Sequence, residues 1–213
     1  MAGPAAARAL VDQTGIAWRL ARQRVAGLTD DELLWEPVAG CWSLRPADPG
    51  DPAGPWGLDG NGVAAPEPPP FTTIGWLIGH MTLGTWNWNA LIAGVPVPPE
   101  PALAGRAAEA VALWSEVVDD FEHLVTGFSD DDLCVRVEAW GGRVARAFLV
   151  SHVVAEVLHH AAEVGRMRDL YRNRATLTVG LLPAPSPRKS AASFRRALGV
   201  AGCSGVSRCR NRA

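Results

Sequence analysis

Hydrophobic residues recur at intervals of three and four along four long stretches of the chain. This spacing is typical of helices that bury one face, and it predicts helices over residues 5–27, 71–93, 101–127 and 143–172. No stretch alternates apolar and polar residues for long enough to require a sheet. The pattern therefore predicts an all-α fold, and four helices of this length favour a four-helix bundle.

A long crossover loop is predicted between the first two helices. Residues 36–70 contain nine prolines, with glycines between them, so regular structure cannot extend far there. Before this loop, Thr29 and Glu32 have the spacing of a capping box, which predicts a short helical turn. Within the loop, Trp42 and Trp56 are expected to anchor the chain onto the helices.

A short sequence pattern occurs twice. Residues 28–33 read LTDDEL and residues 128–133 read FSDDDL, each directly after a predicted long helix. Two similar junctions indicate pseudo-symmetry between the first and third helices, on the strength of six residues.

Composition divides the chain into two predicted regions, a helical domain over residues 1–173 and a tail over residues 174–213. The tail has eight basic residues and no acidic ones, and it is rich in Ser, Gly, Arg and Pro, so we expect it to be disordered. The other twelve basic residues and all 22 acidic residues lie in the domain, which gives it a net charge of -10. An acidic domain argues against nucleic-acid binding.

The sequence offers no run of about eighteen apolar residues and no recognisable leader at its start, so we expect neither a membrane span nor a signal peptide. The expected location is the cytoplasm. The four cysteines, Cys41, Cys134, Cys203 and Cys209, are scattered without a CxxC pair, which does not fit a disulfide framework or a zinc finger.

The candidate site centres on residues 151–165, which hold three of the five histidines. Glu156 and His160 are four residues apart, so on a helix they project from one face, one turn apart. They can supply two ligands of a divalent metal, and His80 in the second apolar helix is the best candidate for the third. We therefore predict a metal site of His80, Glu156 and His160 with at least one open coordination position. The alternative is a buried, hydrogen-bonded polar cluster.

Other polar residues nearby have two interpretations each. His152 is either a partner that orients a ligand or a solvated histidine, and Glu163 either orients a ligand or lies on the surface. His159 is expected at an interface or in a local contact. Several tryptophans, among them Trp76, Trp88 and Trp140, are expected in the core, where some can form the walls of the metal pocket. The sequence assigns no catalytic residue.

Three segments together resemble the DinB-like superfamily: residues 33–37 (LLWEP), 70–81 (PFTTIGWLIGHM) and 156–171 (EVLHHAAEVGRMRDLY). The resemblance covers about residues 8–172 and includes the metal-binding domain of mycothiol-dependent maleylpyruvate isomerases. It implies a four-helix bundle with a long first crossover, often dimeric, that holds a divalent metal, commonly zinc or nickel. Many members use three histidines; Glu156 at the second position matches the isomerase-type variant, and His80 and His160 match the other two.

The function that this resemblance implies is a metal-dependent transferase or isomerase that uses a low-molecular-weight thiol of the mycothiol or bacillithiol type. A metal with an open position lowers the pKa of a bound thiol and presents the thiolate to an electrophile. The alternatives are a metal-dependent hydrolase, or a non-catalytic metal- or ligand-binding protein with a sensor or stress role. The expected partners are a small-molecule substrate and a second copy of the chain, with no nucleic acid and no membrane.

Overall fold

The computed structural model describes residues 5–51 and 53–176, and this part of the chain is mostly helical. The predicted tail falls largely outside the described residues, which end at Thr176. The elements, in order, are α1 (Ala5–Val25), α2 (Asp30–Leu33), β1 (Leu44–Pro46), β2 (Trp56–Leu58), α3 (Ile74–Ala93), α4 (Ala107–Thr126), α5 (Asp130–Cys134), β3 (Arg136–Ala139), β4 (Gly142–Ala145), α6 (Arg146–Arg172) and a 3-10 turn (Arg174–Thr176).

The four long helices are the predicted ones, and each is shorter than predicted at one end or both. α3 begins at Ile74 because Thr73 is its N-cap and accepts a hydrogen bond from the backbone N–H of Trp76. It ends at Gly94, which adopts a left-handed conformation. α4 begins at Ala107 and not at Pro101, because residues 98–101 include three prolines and the helix starts only after them.

The four long helices enclose one hydrophobic core. α1 packs against α6 and α4, and α3 packs against α4 and α6. The largest fully buried side chains are Trp18 of α1 and Trp114 and Phe121 of α4, and the rings of Trp18 and Phe121 meet edge to face at 5.5 Å. An aromatic pair in this arrangement adds stabilisation beyond the burial of its area.

Two small antiparallel sheets, which the sequence does not predict, accompany the predicted all-α fold. β1 pairs with β2 inside the crossover, and β3 pairs with β4 before α6. The strands have only three or four residues each, which is too short for an alternating pattern to be visible in the sequence. The crossover also lies close on α3, since a Cβ added at Gly79 would meet Leu58 at 2.8 Å.

Both copies of the repeated pattern form short helices, α2 and α5, and each begins with a capping box, at Thr29 and Ser129. The two copies also cap the long helices of the opposite copy. Asp30 accepts a hydrogen bond from the backbone N–H of Ala107 at the start of α4, and Asp130 accepts one from Ala7 in the first turn of α1, both at 2.7 Å. Carboxylates at helix N-termini satisfy free N–H groups there and interact favourably with the helix dipole.

Two arginines fix the ends of α6. Arg168 uses all five N–H donors: two on Glu32, and three on the carbonyls of Arg24, Ala26 and Gly27 where α1 ends. At the other end, Arg146 donates to the carbonyl of Ile92 in the last turn of α3 and to that of Asp132. The bonds to Arg24 and Ile92 satisfy carbonyls that a helix end leaves without partners.

The ion pair between Arg168 and Glu32 is buried, with side chains 8% and 6% exposed. Burial alone would raise the pKa of Glu32, but hydrogen bonds from Arg168 and the Thr29 backbone, together with the positive charge of Arg168, hold that pKa below its ordinary value of 4.5. Because the folded-state pKa is lowered, the ionised carboxylate stabilises the fold above the unfolded-state pKa, and this stabilisation is lost as the pH falls through the folded-state pKa.

We expect Glu32→Gln to lower the free energy of unfolding at neutral pH by about 3–5 kcal/mol, because Arg168 is left buried without a counter-charge. The difference from wild type should shrink as the pH falls below about 4.5. Urea unfolding at several pH values measures both effects, and Asp31→Asn, an exposed carboxylate on the same short helix, is the control. A pH-independent difference, or an equal loss in the control, would contradict this account.

Candidate metal centre between α3 and α6

The three predicted site residues lie together. His80 comes from α3, and Glu156 and His160 come from successive turns of α6. One potential ligand atom from each of the three lies within 4.8 Å of the other two. The structure therefore brings together residues that are 76 to 80 positions apart in the sequence, and their role as metal ligands stays a prediction.

The two imidazoles form the less exposed part of this half-buried group. The His80 and His160 rings meet nearly perpendicular, with centroids 4.9 Å apart, and Glu156 Oε2 lies 3.4 Å from His160 Nε2. The His160 side chain is 12% exposed, whereas the Glu156 carboxylate is more open to solvent. A divalent ion between these atoms would have protein on one side and space on the other.

His80 is held by the crossover. Its ring stacks on that of Trp76, with centroids 4.7 Å apart and planes 8° from parallel. The Trp76 indole N–H donates to the carbonyl of Asp59 at 2.8 Å, and Trp42 packs against the same indole. The loop that the sequence predicts as irregular thus orients a candidate ligand.

Burial lowers the pKa of His80, and the nearby His160 lowers it further, while the carboxylates of Glu156 and Glu163 act in the opposite direction. A lowered pKa keeps the imidazole neutral, with a lone pair free. A neutral imidazole is the form that binds a metal. Within the described residues, neither ring nitrogen of His80 has a hydrogen-bond partner, so the lone pair of the neutral ring is available to a metal.

Glu163 lies beside His160, in a position to orient its ring. Its carboxylate lies 2.7 Å from His160 Nδ1, one turn beyond the ligand in α6. If Nδ1–H donates to this carboxylate, the lone pair of Nε2 faces Glu156 and His80. A carboxylate that accepts a hydrogen bond from a metal-binding histidine, without binding the metal, fixes the tautomer and the orientation of the ring. The sequence left the role of Glu163 open, and this contact settles its position.

A second group of potential ligands shares a member with the first. His159, His160 and Glu163 also lie close enough for one ligand atom from each to meet. His159 is 66% exposed, however, and this group uses the Nδ1 side of His160. The more buried group, with the neutral His80, is the better candidate because exposed polar clusters are common without a metal.

A pocket of about 190 Å³ adjoins the three residues and runs between α3 and α6. His80 faces His160 at one end, and Trp88 faces His152 at the other, with ring centroids 5.3 Å apart. Eight residues separate His80 from Trp88, so the two ends are roughly 12 Å apart along the helix axis. His152 therefore lies at the opposite end from the three predicted ligands.

Trp140 packs on the outside of the far end. It is 59% exposed, and its ring contacts Trp88 and His152 at centroid distances of 4.8 and 5.0 Å. It occupies the first position of the two-residue turn between β3 and β4, with φ at 49°. Such turns favour Asn, Asp or Gly, and a bulky residue there costs about 1–3 kcal/mol. The sequence predicts Trp140 in the core, and this is wrong: the hairpin turn places the side chain at the surface.

Two further predictions concern features outside the candidate site, the cysteines and the membrane span. Cys41 is buried and Cys134 is exposed; both are unpaired, and the other two cysteines lie outside the described residues. Among residues 5–51 and 53–176, no helix is both long and apolar enough to cross a membrane.

Comparison with known proteins identifies the family. The family model described as the DinB superfamily matches residues 13–164, which include α3, α4, both short helices and all three predicted ligands. No curated protein and no solved structure matches the chain.

We expect Zn²⁺ to bind at His80, Glu156 and His160 in preference to the more exposed group of His159, His160 and Glu163. His80→Ala and Glu156→Ala should abolish tight binding, whereas His159→Ala should leave it unchanged. Glu163→Gln should weaken it by about 10–100-fold, because the carboxylate orients His160 without being a ligand. Titration of the four variants against a chelating indicator tests this. A large loss in His159→Ala with little in His80→Ala would place the metal in the exposed group.

Proposed function

This chain belongs to the DinB superfamily, and on that premise we propose that it is a divalent-metal-dependent transferase or isomerase that activates a low-molecular-weight thiol. The observation that carries the proposal is the meeting of His80, Glu156 and His160 beside an open pocket. Three protein ligands with space beside them are typical of a catalytic metal, whereas a structural metal has four closed ligands.

The donor set fits a divalent ion. It consists of two imidazole nitrogens and one carboxylate oxygen, a combination that suits zinc, nickel, iron or manganese. Zinc and nickel are our proposed metals. Such an ion, when bound, would lower the pKa of a thiol placed next to it. His80 and His160 would supply nitrogen ligands, and Glu156 would supply one negative charge.

The residues around the ligands prepare them for this chemistry. Burial lowers the pKa of His80, and the Glu163 carboxylate lies at Nδ1 of His160, on the side away from Glu156, where it can accept a hydrogen bond from Nδ1–H. Trp76 covers one face of the His80 ring and limits the access of water from that side. The His80 ring therefore offers a nitrogen without a proton having to leave first.

The pocket favours a thiol over water as the activated group. Metal-dependent hydrolases of the zincin type place a separate carboxylate near the metal as a general base. Here Glu156 is the one carboxylate that lines the pocket in the described part of the chain, and we assign it to the metal. A thiol that has lost its proton is already a strong nucleophile and needs no such base.

The proposal extends to the fold, the tail, the oligomeric state and the location of the protein. We propose that the four long helices form a four-helix bundle of the DinB type over residues 1–173, that residues 174–213 form a separate basic tail, and that the protein is a homodimer in the cytoplasm.

We expect cobalt-substituted protein to show a sulfur-to-cobalt charge-transfer band when 2-mercaptoethanol is added, because the open position admits the thiol. The band should be absent in His80→Ala and Glu156→Ala and present in His159→Ala, the matched control on α6.

Two outcomes would contradict the proposal. Cobalt binding without any spectral response to thiol would indicate a closed metal site and a non-catalytic role. A wild-type protein that fails to bind cobalt, zinc or nickel would leave a helical protein whose histidines serve packing.

A further inference from the structure

Five residues from α3 and five from α6 line the pocket, and a constant offset in the sequence relates the two sets. Each lining residue of α3 has a counterpart in α6 72 positions later, and the first residues of the helices, Ile74 and Arg146, have the same offset. The pairs that carry chemistry are His80 with His152, Gly84 with Glu156, and Trp88 with His160.

The same repeat governs the order of elements. A long helix, a short capped helix, a β-hairpin and a second long helix occur in that order twice, first as α1 to α3 and then as α4 to α6. The reciprocal caps from Asp30 and Asp130 join the two halves in equivalent ways. The pocket thus lies between two equivalent helices, and its two ends are equivalent positions.

The two ends share a geometry and differ in chemistry. His80 and His160 meet at an interplanar angle of 84°, and Trp88 and His152 meet at 83°. At the far end, however, an indole replaces the second histidine, and Gly84 replaces the carboxylate. A Cβ at Gly84 would meet nothing within 4 Å, so close packing does not explain this glycine. The replacements remove two potential metal ligands and leave open space beside an aromatic face.

This space suits a single planar ring. The whole pocket, with both ends included, measures about 190 Å³; since a cavity of about 150 Å³ is large enough for benzene, the pocket has room for one ring and not for a larger ring system. None of the described residues that line it is Arg or Lys, and Glu156 disfavours an anion. The ring nitrogens of His152 have no hydrogen-bond partner within the described residues, so they can bond a polar substituent on the ring.

The position of Trp140 is a second observation, independent of the shape of the pocket, that indicates a ring-binding site. Its left-handed backbone is unfavourable for tryptophan, yet this places the ring against both Trp88 and His152. Strained residues cluster at ligand-binding sites, where surrounding contacts hold them in place. With more than half of its surface exposed, Trp140 can cover a ring that enters from solvent.

We propose that the end of the pocket formed by Gly84, Trp88 and His152, with Trp140 beside it, binds an uncharged planar ring of the substrate. The inference rests on the proposed function in that this ring belongs to the compound that reacts with the thiol at the other end. The substrate class is a neutral, one-ring compound with a hydroxyl or carbonyl group that hydrogen-bonds to His152.

The test uses 4-fluorobenzyl alcohol as the probe and ¹⁹F NMR as the readout, with zinc-loaded and metal-free protein in parallel. The probe should bind both forms, because the ring end does not include the metal ligands. Cyclohexylmethanol, which is similar in size but not planar, should compete roughly tenfold less well than benzyl alcohol. With metal-free protein, 4-fluorobenzoate should bind roughly tenfold more weakly than the alcohol, since the pocket offers no cation.

Variants locate the ring. Trp88→Ala should weaken probe binding roughly tenfold or more while zinc binding is retained, which also shows that the variant is folded. Trp140→Gly should weaken binding without loss of stability, because glycine accepts the left-handed conformation. Gly84→Leu should block the probe by filling its space. Phe71→Ala, an exposed aromatic outside the pocket, should leave binding unchanged.

The possible failures are distinguishable. Zinc binding with no probe binding, or probe binding that Trp88→Ala and Gly84→Leu leave unchanged, would overturn the ring subsite and spare the metal proposal. Tighter binding of the benzoate to metal-free protein would also overturn it. Probe binding by a protein that takes up no metal would uphold the subsite and remove the proposed function.

Discussion

The buried guanidinium of Arg168 is the contact on which the arrangement of the site depends. It joins α6 to α2 through Glu32 and to the end of α1 through three carbonyls. These bonds fix both the position of α6 along its axis and its rotation about that axis. His160 lies eight residues before it, about 12 Å along the same rigid helix. Arg146 fixes the other end of α6 against the last turn of α3. With both ends held, Glu156 and His160 can face His80 only in the observed register.

This constraint also explains the burial of an ion pair, which by itself is a weak source of stability. The carbonyls at the end of α1 need donors, and the five N–H groups of one arginine meet that need and bind the carboxylate together. The result is a specific register between helices that hydrophobic packing alone would leave less defined. The reciprocal caps by Asp30 and Asp130 serve the same purpose at the starts of α4 and α1.

Helical periodicity was sufficient to predict the four long helices, and the spacing of Glu156 and His160 was sufficient to place them on one face. Local capping signals predicted α2. The hairpins could not be predicted, because strands of three or four residues have no period to detect. The hydrogen bond from Trp76 to Asp59 depends on how the crossover folds back, and the position of Trp140 depends on a turn conformation that its residue type disfavours. These contacts arise from tertiary structure and leave no local signature.

The site combines two environments in one pocket. Near His80 and His160, burial lowers the pKa of His80, and the Glu163 carboxylate lies 2.7 Å from Nδ1 of His160. Near Trp88 and His152, the aromatic faces and the glycine at position 84 leave apolar space. A nucleophile and a ring held at these two ends would be aligned along the helix pair, and such positioning is a large part of catalysis between two substrates.

The central claim is that a divalent ion binds between α3 and α6, and the most direct test is a crystal structure of the zinc-loaded protein with data collected at the zinc absorption edge. The account predicts one anomalous peak within bonding distance of His80, Glu156 and His160, roughly 2.0–2.2 Å from each ligand atom, with a coordination position open to the pocket. A peak at His159 and Glu163 instead, or no peak at all in crystals grown with zinc, would contradict it.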